Sequence, residues 1–283
     1  RSLLGGTRRQ LEDAGLVVDY VELVAAHNLA PQSPPLAPRG LLLLAAAVHC
    51  GPSRLIDHTF LMSRAPIVAI DGPAGAGKST VTKALARRLG LVYLDTGAMY
   101  RALTWWVQRQ GAEPTDAAGV APLLVGLNLQ LEAGPDGEQR VWVNGHDVTA
   151  AIRSPEVTAQ VSLVAAHACV REALTAQQRA LGERGGLVAE GRDLGTAVFP
   201  DAECKVFLTA SVAERARRRA EDLRQRGFDV PPLPELEQSI AARDHQDASR
   251  AVAPLRQAED AEELVTDGLG IEAVIEALLD LVR

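Results

Sequence analysis

Cysteine is scarce in this sequence: Cys50, Cys169 and Cys204 stand far apart and form no CxxC pair. That spacing argues against both a disulfide framework and a zinc site, and it suits a reducing, cytoplasmic compartment. Basic charge is not in excess either. With 29 Lys and Arg against 36 Asp and Glu, the net charge is -7, so no overall positive field draws in a nucleic acid polymer or an anionic membrane. A local arginine pocket for one phosphate stays compatible with that balance. Long apolar runs are missing as well: the longest, Leu41–Val48, is less than half of a membrane-spanning helix, and no charged-apolar-small signal precedes it. It reads as a buried helix. There is no internal repeat, no Ser-His-Asp arrangement and no cluster of carboxylates with histidines, and the six histidines are scattered. His167 reads as a packing residue. What is present in quantity is apolar side chain, 47% of 283 residues, ample for one large domain or two modest ones.

The clearest break lies before Pro66. Four prolines fall between Pro31 and Pro38, and such a stretch must be an extended loop, because proline lacks the amide donor and fixes its backbone angle. Residues 1–62 therefore form a separate short α/β unit: a helix over Arg8–Ala14, a strand over Val17–Val24, the proline loop, the Leu41–Cys50 helix and a strand over Ser53–Asp57. So small a unit is marginal alone and is expected to pack on something else. From residue 66 to 283 short apolar strands alternate with longer helical stretches, the pattern of a parallel sheet flanked by helices. Five strands are expected, at Ile67–Ile70, Val92–Leu94, Leu187–Ala189, Lys205–Leu208 and Leu264–Thr266. One segment breaks the rhythm. Leu127–Glu132 and Gln139–Val143 alternate around Gly-Pro-Asp-Gly and then meet Asn144-Gly145, which is hairpin chemistry and marks a small antiparallel insert.

Gly72–Ser79 reads GPAGAGKS and satisfies the P-loop pattern G-x-x-x-x-G-K-[ST], with an apolar strand leading in and a helix-forming stretch leading out. The residue types follow from the chemistry. Gly72, Gly75 and Gly77, with Pro73, Ala74 and Ala76 between them, let the backbone curl so that its amides and the helix N-terminus hold a polyphosphate. Lys78 brings a positive charge to the outer phosphates, and Ser79, followed by Thr80, offers a hydroxyl to Mg²⁺. ATP is the expected co-substrate. Other charged residues gather at the ends of the other strands, where ligands of α/β folds sit. Asp95-Thr96-Gly97-Ala98-Met99-Tyr100-Arg101 closes the second strand and Gly191-Arg192-Asp193-Leu194-Gly195-Thr196 the third. Late in the chain, Arg243, Asp247 and Arg250 recur at i, i+4 and i+7, on one face of a helix. A salt-bridged surface stripe would look the same.

Three segments in one order, Ile67 to Arg101, GRDLGTAVFPDAECKVFL and RDHQDASRAVAPL, resemble bacterial cytidylate kinase, and the resemblance extends over residues 66–283. It implies the P-loop nucleoside monophosphate kinase fold, with the insert at about residues 123–153 as the family's nucleotide-monophosphate-binding subdomain. It implies transfer of the γ-phosphate of ATP to CMP or dCMP, with Lys78, Arg192 and Arg250 around the transferred group. Arg101, Arg192 and Arg250 should hold the acceptor phosphate. Ser162, Arg171 and Asp193 should read cytosine, and Arg243 and Asp247 should contact the ribose. Thr96 stands where the family often has Ser. Arg215, Arg217, Arg218 and Arg219 fall where these kinases carry a lid over ATP, and Arg218 best matches a lid arginine. Gln246 and Ala248 depart from the charged or polar residues common in that part of the family pattern.

DYVELV at Asp19–Val24 and SRLIDH at Ser53–His58 resemble the C-terminal end of pantothenate synthetase, which joins pantoate to β-alanine using ATP. Residues 1–62 are then a fragment of a fused ligase, expected to pack on a ligase domain that this chain lacks, since neither HxGH-like nor KMSK-like signatures are present. Arg1 is not an initiator methionine, so a longer native product carrying the ligase is expected. Two alternatives stay open: a P-loop kinase for another small acceptor such as UMP, AMP or shikimate, or a non-catalytic nucleotide-binding regulator.

Overall fold

Why the apolar run at residues 41–50 does not form a helix is visible from its neighbours. In the computed structural model, which describes residues 3–26, 28–32, 41–62, 64–134, 138–225 and 227–282, helix α1 (Leu3–Asp13) is followed by strands β1 (Val17–Ala25), β2 (Leu41–Cys50) and β3 (Ser53–Met62). The three strands form one antiparallel sheet in the order β1-β2-β3. β2 lies in the middle, paired along its whole length from Leu41↔Met62 to Cys50↔Ser53. The expected helix is therefore corrected to a central strand. An apolar run without alternation suits either element, and periodicity alone does not separate them. β3 also runs five residues past the expected Asp57, to Met62, because β2 gives it a partner that far. Of the proline loop, Pro31 bridges Val24; residues 33–38 lie outside the described residues. This unit comprises residues 1–66 with 183–185, and a second one comprises 67–182 with 186–283.

The second unit holds β4 (Ile67–Asp71), α2 (Lys78–Leu89), β5 (Val92–Asp95) and α3 (Thr96–Arg109), then the short α4 (Ala117–Val120). β6 (Leu129–Ala133), β7 (Gln139–Val143) and β8 (His146–Asp147) follow, with α5 (Pro155–Ala165) and α6 (Ala168–Leu181) behind them. β9 (Leu187–Glu190), β10 (Cys204–Thr209), α7 (Val212–Gln225), α8 (Leu233–Ala248), β11 (Glu262–Val265) and α9 (Ile271–Val282) complete it. Five strands make one parallel sheet in the order β11-β10-β4-β9-β5. The last strand sits two residues before its expected start at Leu264. β4, at the centre, is buried on both faces: Val68 and Ile70 pack with Leu85, Leu208, Ile275 and Leu278, while Ile67 and Ala69 pack with Leu94, Ala189 and Phe199. A parallel strand covered by helices on both sides reads as a near-continuous apolar run, as β4 does from Ile67 to Ile70 before it ends in Asp71.

The insert is antiparallel, in the order β6-β7-β8. Asn144 and Gly145 join β7 to β8 with φ of 48° and 80°, the left-handed pair that a tight hairpin turn demands. The turn residues 135–137 between β6 and β7 lie outside the described residues. No helix among the described residues is long and apolar enough to cross a membrane.

Candidate functional site

β4 leads directly into the P-loop, and the loop's shape is set from behind by arginines. Gly72 has φ of 146°, and a Cβ there would stand 1.9 Å from the carbonyl oxygen of Leu208, so only glycine lets the chain leave the sheet at this point. Arg215 Nη1 donates to Ala74 O at 3.1 Å and Arg218 Nη1 to Ala76 O at 3.0 Å. Lys78 Nζ donates to Gly72 O and Pro73 O, each at 2.8 Å. With these carbonyls held, no amide from Ala74 to Gly77 donates to a backbone carbonyl among the described residues. Those amides and the N-terminus of α2 are free for an anion. Burial and the charge of Arg192 hold the Lys78 ammonium well below its ordinary pKa, against the pull of the Glu190 and Asp71 carboxylates.

Three adjacent strands end in buried acids. Asp71 ends β4, Asp95 ends β5 and Glu190 ends β9, each 5% exposed, with Asp95 in register with Glu190. Glu190 accepts from the Ser79 hydroxyl at 2.9 Å and from Tyr93; burial and then Asp95 raise its pKa. Asp95 accepts from Ala98 N at 2.8 Å, capping α3, and from Arg101 Nη2 at 2.7 Å. Asp71 accepts from Leu194 N and Gly195 N, both at 2.8 Å, and burial pushes it up to about 6. Among the described residues no group of three or more His, Cys, Asp or Glu could hold a metal ion by itself. The Ser79 hydroxyl beside the Glu190 carboxylate does offer the hard oxygen donors that Mg²⁺ takes.

Beyond these acids the arginines converge. Arg171 pairs with Asp193, both nearly fully buried, and its guanidinium lies 5.4 Å from the centre of the Tyr100 ring. Asp247 accepts from Arg192 Nε at 3.2 Å and from Ser162 Oγ at 3.4 Å, and Arg250 Nη1 stands 3.8 Å away. Burial would raise Asp247, but Arg192, Arg250 and Arg243 hold it below the usual carboxylate range. Arg243 is pushed down to about 10 by burial and then by Arg192, with Arg101 and Arg219 adding to the effect. Arg101 Nε, Arg171 Nε, Arg243 Nε and Arg250 Nε and Nη2 are buried without a hydrogen-bond partner. A buried guanidinium nitrogen left unpaired is costly, and several such arginines, close enough to lower one another's pKa, suit an anion.

The structure thus brings Arg171 with Asp193, and Ser162, Arg192 and Arg250 with Asp247. It commits the Thr96 hydroxyl to Glu190 O at 2.7 Å. Arg250 departs from the expected helix face: α8 ends at Ala248 with Ser249 as its C-cap, and Arg250 meets Asp247 from the following turn. In α7, Arg218 donates to Glu214, Ala76 and Thr266. Arg217 pairs with Glu214 and Arg219 with Asp222, while Arg215, 4% exposed, is buried rather than solvated. His167 Nε2 lies 2.8 Å from Pro114 O. Sequence reasoning missed Asp71, Glu190, Asp244 and Thr266. The signal for the first two was present, an acid as the last residue of an apolar strand immediately before a glycine.

Residues 68–283 match the family model described as cytidylate kinase. The bifunctional pantoate ligase/cytidylate kinase of Prochlorococcus marinus (strain MIT 9303) is 67% identical over 280 residues, covering 99% of this chain and 57% of that protein. Its counterpart from Synechococcus sp. (strain CC9605) is 66% identical, covering 98% of this chain and 57% of that one. The chain spans about half the length of the curated relatives it matches. Among solved structures, shikimate kinase from Bacteroides thetaiotaomicron aligns with 77% of this chain and 98% of its own at 17% identity and a TM-score of 0.39, too distant to carry an argument. The family match covers most of the second unit, P-loop and arginine crevice included, and the chain belongs to the cytidylate kinase family of nucleoside monophosphate kinases.

Proposed function

We propose that the second unit transfers the γ-phosphate of ATP to CMP or dCMP, giving ADP and CDP or dCDP. The observation that carries this is the set of unpartnered guanidinium nitrogens of Arg101, Arg171, Arg243 and Arg250 together with the P-loop amides that make no backbone bond among the described residues: one anion site for the donor, a second for a phosphorylated acceptor. In this reading the segment Gly72–Thr80 holds the triphosphate through its amides, and Lys78 leaves the carbonyls of Gly72 and Pro73 for the outer phosphates. Arg101, Arg192 and Arg250 hold the acceptor phosphate. Arg171 and Asp193, with Ser162, read cytosine, and Arg243 and Asp247 meet the ribose.

An oxygen of the CMP phosphate attacks the γ-phosphorus in line. The new P–O bond forms as the bond to the ADP oxygen breaks, and the electron pair leaves with ADP. The nucleophile is already ionised, so no general base is needed. Lys78, Arg192 and Arg250 spread the charge of the transition state. Mg²⁺ arriving with ATP would be held by Ser79, with Glu190 behind it, and would supply neutralisation of the phosphate charge. The bonds of Arg218 to Ala76 and Thr266 support holding the loop in shape in this state; a move onto ATP requires those bonds to open.

Residues 1–62 are read as the C-terminal end of a pantoate ligase, and the whole protein as joining pantoate to β-alanine through a ligase part outside this chain. The alignments over 99% of this chain with fused proteins of nearly twice its length support this. A cytoplasmic location and the absence of polymer or membrane partners belong to the same reading. The test offers ATP-Mg²⁺ with CMP, dCMP, UMP, AMP and shikimate in a coupled ADP-release assay. Fastest turnover with CMP or dCMP is expected, and preference for any other acceptor overturns it.

A further inference from the structure

Asp71 is the last residue of the central strand and the one before the P-loop, yet its carboxylate points to the other half of the site. Both oxygens are used: Oδ1 accepts from Leu194 N and Oδ2 from Gly195 N, each at 2.8 Å. These are the first amides of the turn Leu194–Val198, whose later amides at Ala197 and Val198 bond back to Asp193 O. Arg192 and Asp193 sit immediately upstream, and their side chains engage Asp247 and Arg171. The two halves of the site are not equally held without Asp71. The P-loop carbonyls are gripped independently by Arg215, Arg218 and Lys78, whereas the first two amides of the turn have only the Asp71 carboxylate.

Resting on the kinase reading above, we propose that Asp71 is a positioning residue for the acceptor site: it fixes the Leu194–Val198 turn and so sets where Arg192 and Asp193 meet the acceptor nucleotide. Its position before the donor loop is a consequence of strand order, and its effect falls on CMP. An ionised carboxylate suits the task because two converging N–H donors need two acceptor oxygens. An amide of the same shape offers one oxygen and turns an NH₂ group against the second donor.

The test is Asp71→Asn in the full chain, with KM and kcat measured separately for CMP and for ATP. Loss of a hydrogen bond to a charged group predicts a KM for CMP raised about 10- to 100-fold, with the KM for ATP within about twofold. The same substitution in an Asp193→Ala background should raise the KM for CMP by a smaller factor than in the parent, because part of the effect of Asp71 runs through Asp193 and the remainder through Arg192. A structural role alone would lower kcat through the folded fraction and leave both KM values unmoved; that result overturns the proposal, as does an equal rise for ATP. Asp71→Ser, which keeps one acceptor and adds no NH₂ group, is the second variant. If neither variant folds by thermal unfolding, Asp71 is a requirement of the fold and the proposal is likewise overturned. Turnover of CMP by the parent chain is measured alongside, so a failure of the kinase reading shows there first.

Discussion

Arg215 meets Asp244 with both terminal nitrogens, Nη1 to Oδ1 at 3.0 Å and Nη2 to Oδ2 at 2.6 Å, while Nη1 also reaches Ala74 O and Nε reaches Ala210 O. One side chain therefore joins the P-loop to α8, the helix that carries Arg243 and Asp247. Lysine has the charge but not the planar fork. Arg215→Lys should cost about 2 kcal/mol, near the value of a hydrogen bond to a charged group, and lower the thermal midpoint by roughly 4–8 °C. A midpoint within a degree of the parent would show that the fork contributes nothing.

Lys78→Met should separate stability from turnover. The folded state holds this ammonium below its ordinary pKa, so below the unfolded pKa the fold carries a penalty that diminishes as pH rises through that window. Removing the charge removes the penalty. The variant is expected to melt no lower than the parent in the absence of nucleotide, while ADP release falls at least about 100-fold. A lower midpoint with retained turnover would refute both parts.

Asp71 predicts an acid response opposite to that of a salt-bridged carboxylate. Its pKa stands at about 6 in the fold, against 3.8 unfolded, raised chiefly by burial and also by Asp193, and opposed by the Leu194 and Gly195 amides and Lys78. Between those values the folded state binds more protons than the unfolded one, so this group adds stability as pH falls from 6 to 4, by about 3 kcal/mol in all. Asp247 and other depressed acids push the other way, so the comparison is a difference. Urea unfolding of the parent and of Asp71→Asn at pH 4.5 and 7 should show the parent gaining relative to the variant at the lower pH.

Asp193→Asn should raise the KM for CMP by about tenfold or more and leave that for ATP nearly unchanged. Asp193→Ala goes further, because it leaves Arg171, 2% exposed, without its carboxylate. Breaking a buried pair in that way costs about 3–5 kcal/mol, so its thermal midpoint should fall clearly below that of Asp193→Asn. Equal loss of ATP and CMP affinity in the Asn variant would place Asp193 on the wrong side of the site.

The parallel sheet was legible because β4, β5, β9 and β10 are apolar runs closed by turn residues, and the P-loop because its glycines and lysine have fixed spacing. β2 was not, since Leu41–Cys50 owes its conformation to β1 and β3 on either side rather than to any pattern of its own. In the site, arginines are conspicuous in sequence, but whether they are free is not. Arg215 and Arg218 read as lid residues until their bonds to Ala74 and Ala76 are seen. Arg250 reads as the next turn of α8, although the helix stops at Ala248. The acids Asp71 and Glu190 were hidden by proximity: each stands beside a louder motif, and their partners lie 123 and 111 residues away.

The unpaired nitrogens of Arg101, Arg171, Arg243 and Arg250 give the crevice a solvent-like demand of its own. On the proposed reading a doubly charged phosphate would do there what a side chain does in a core, filling a place the rest of the chain has already arranged. The nucleotide would then be a missing piece of the polar interior, and the melting temperature should rise with the logarithm of added nucleotide above Kd.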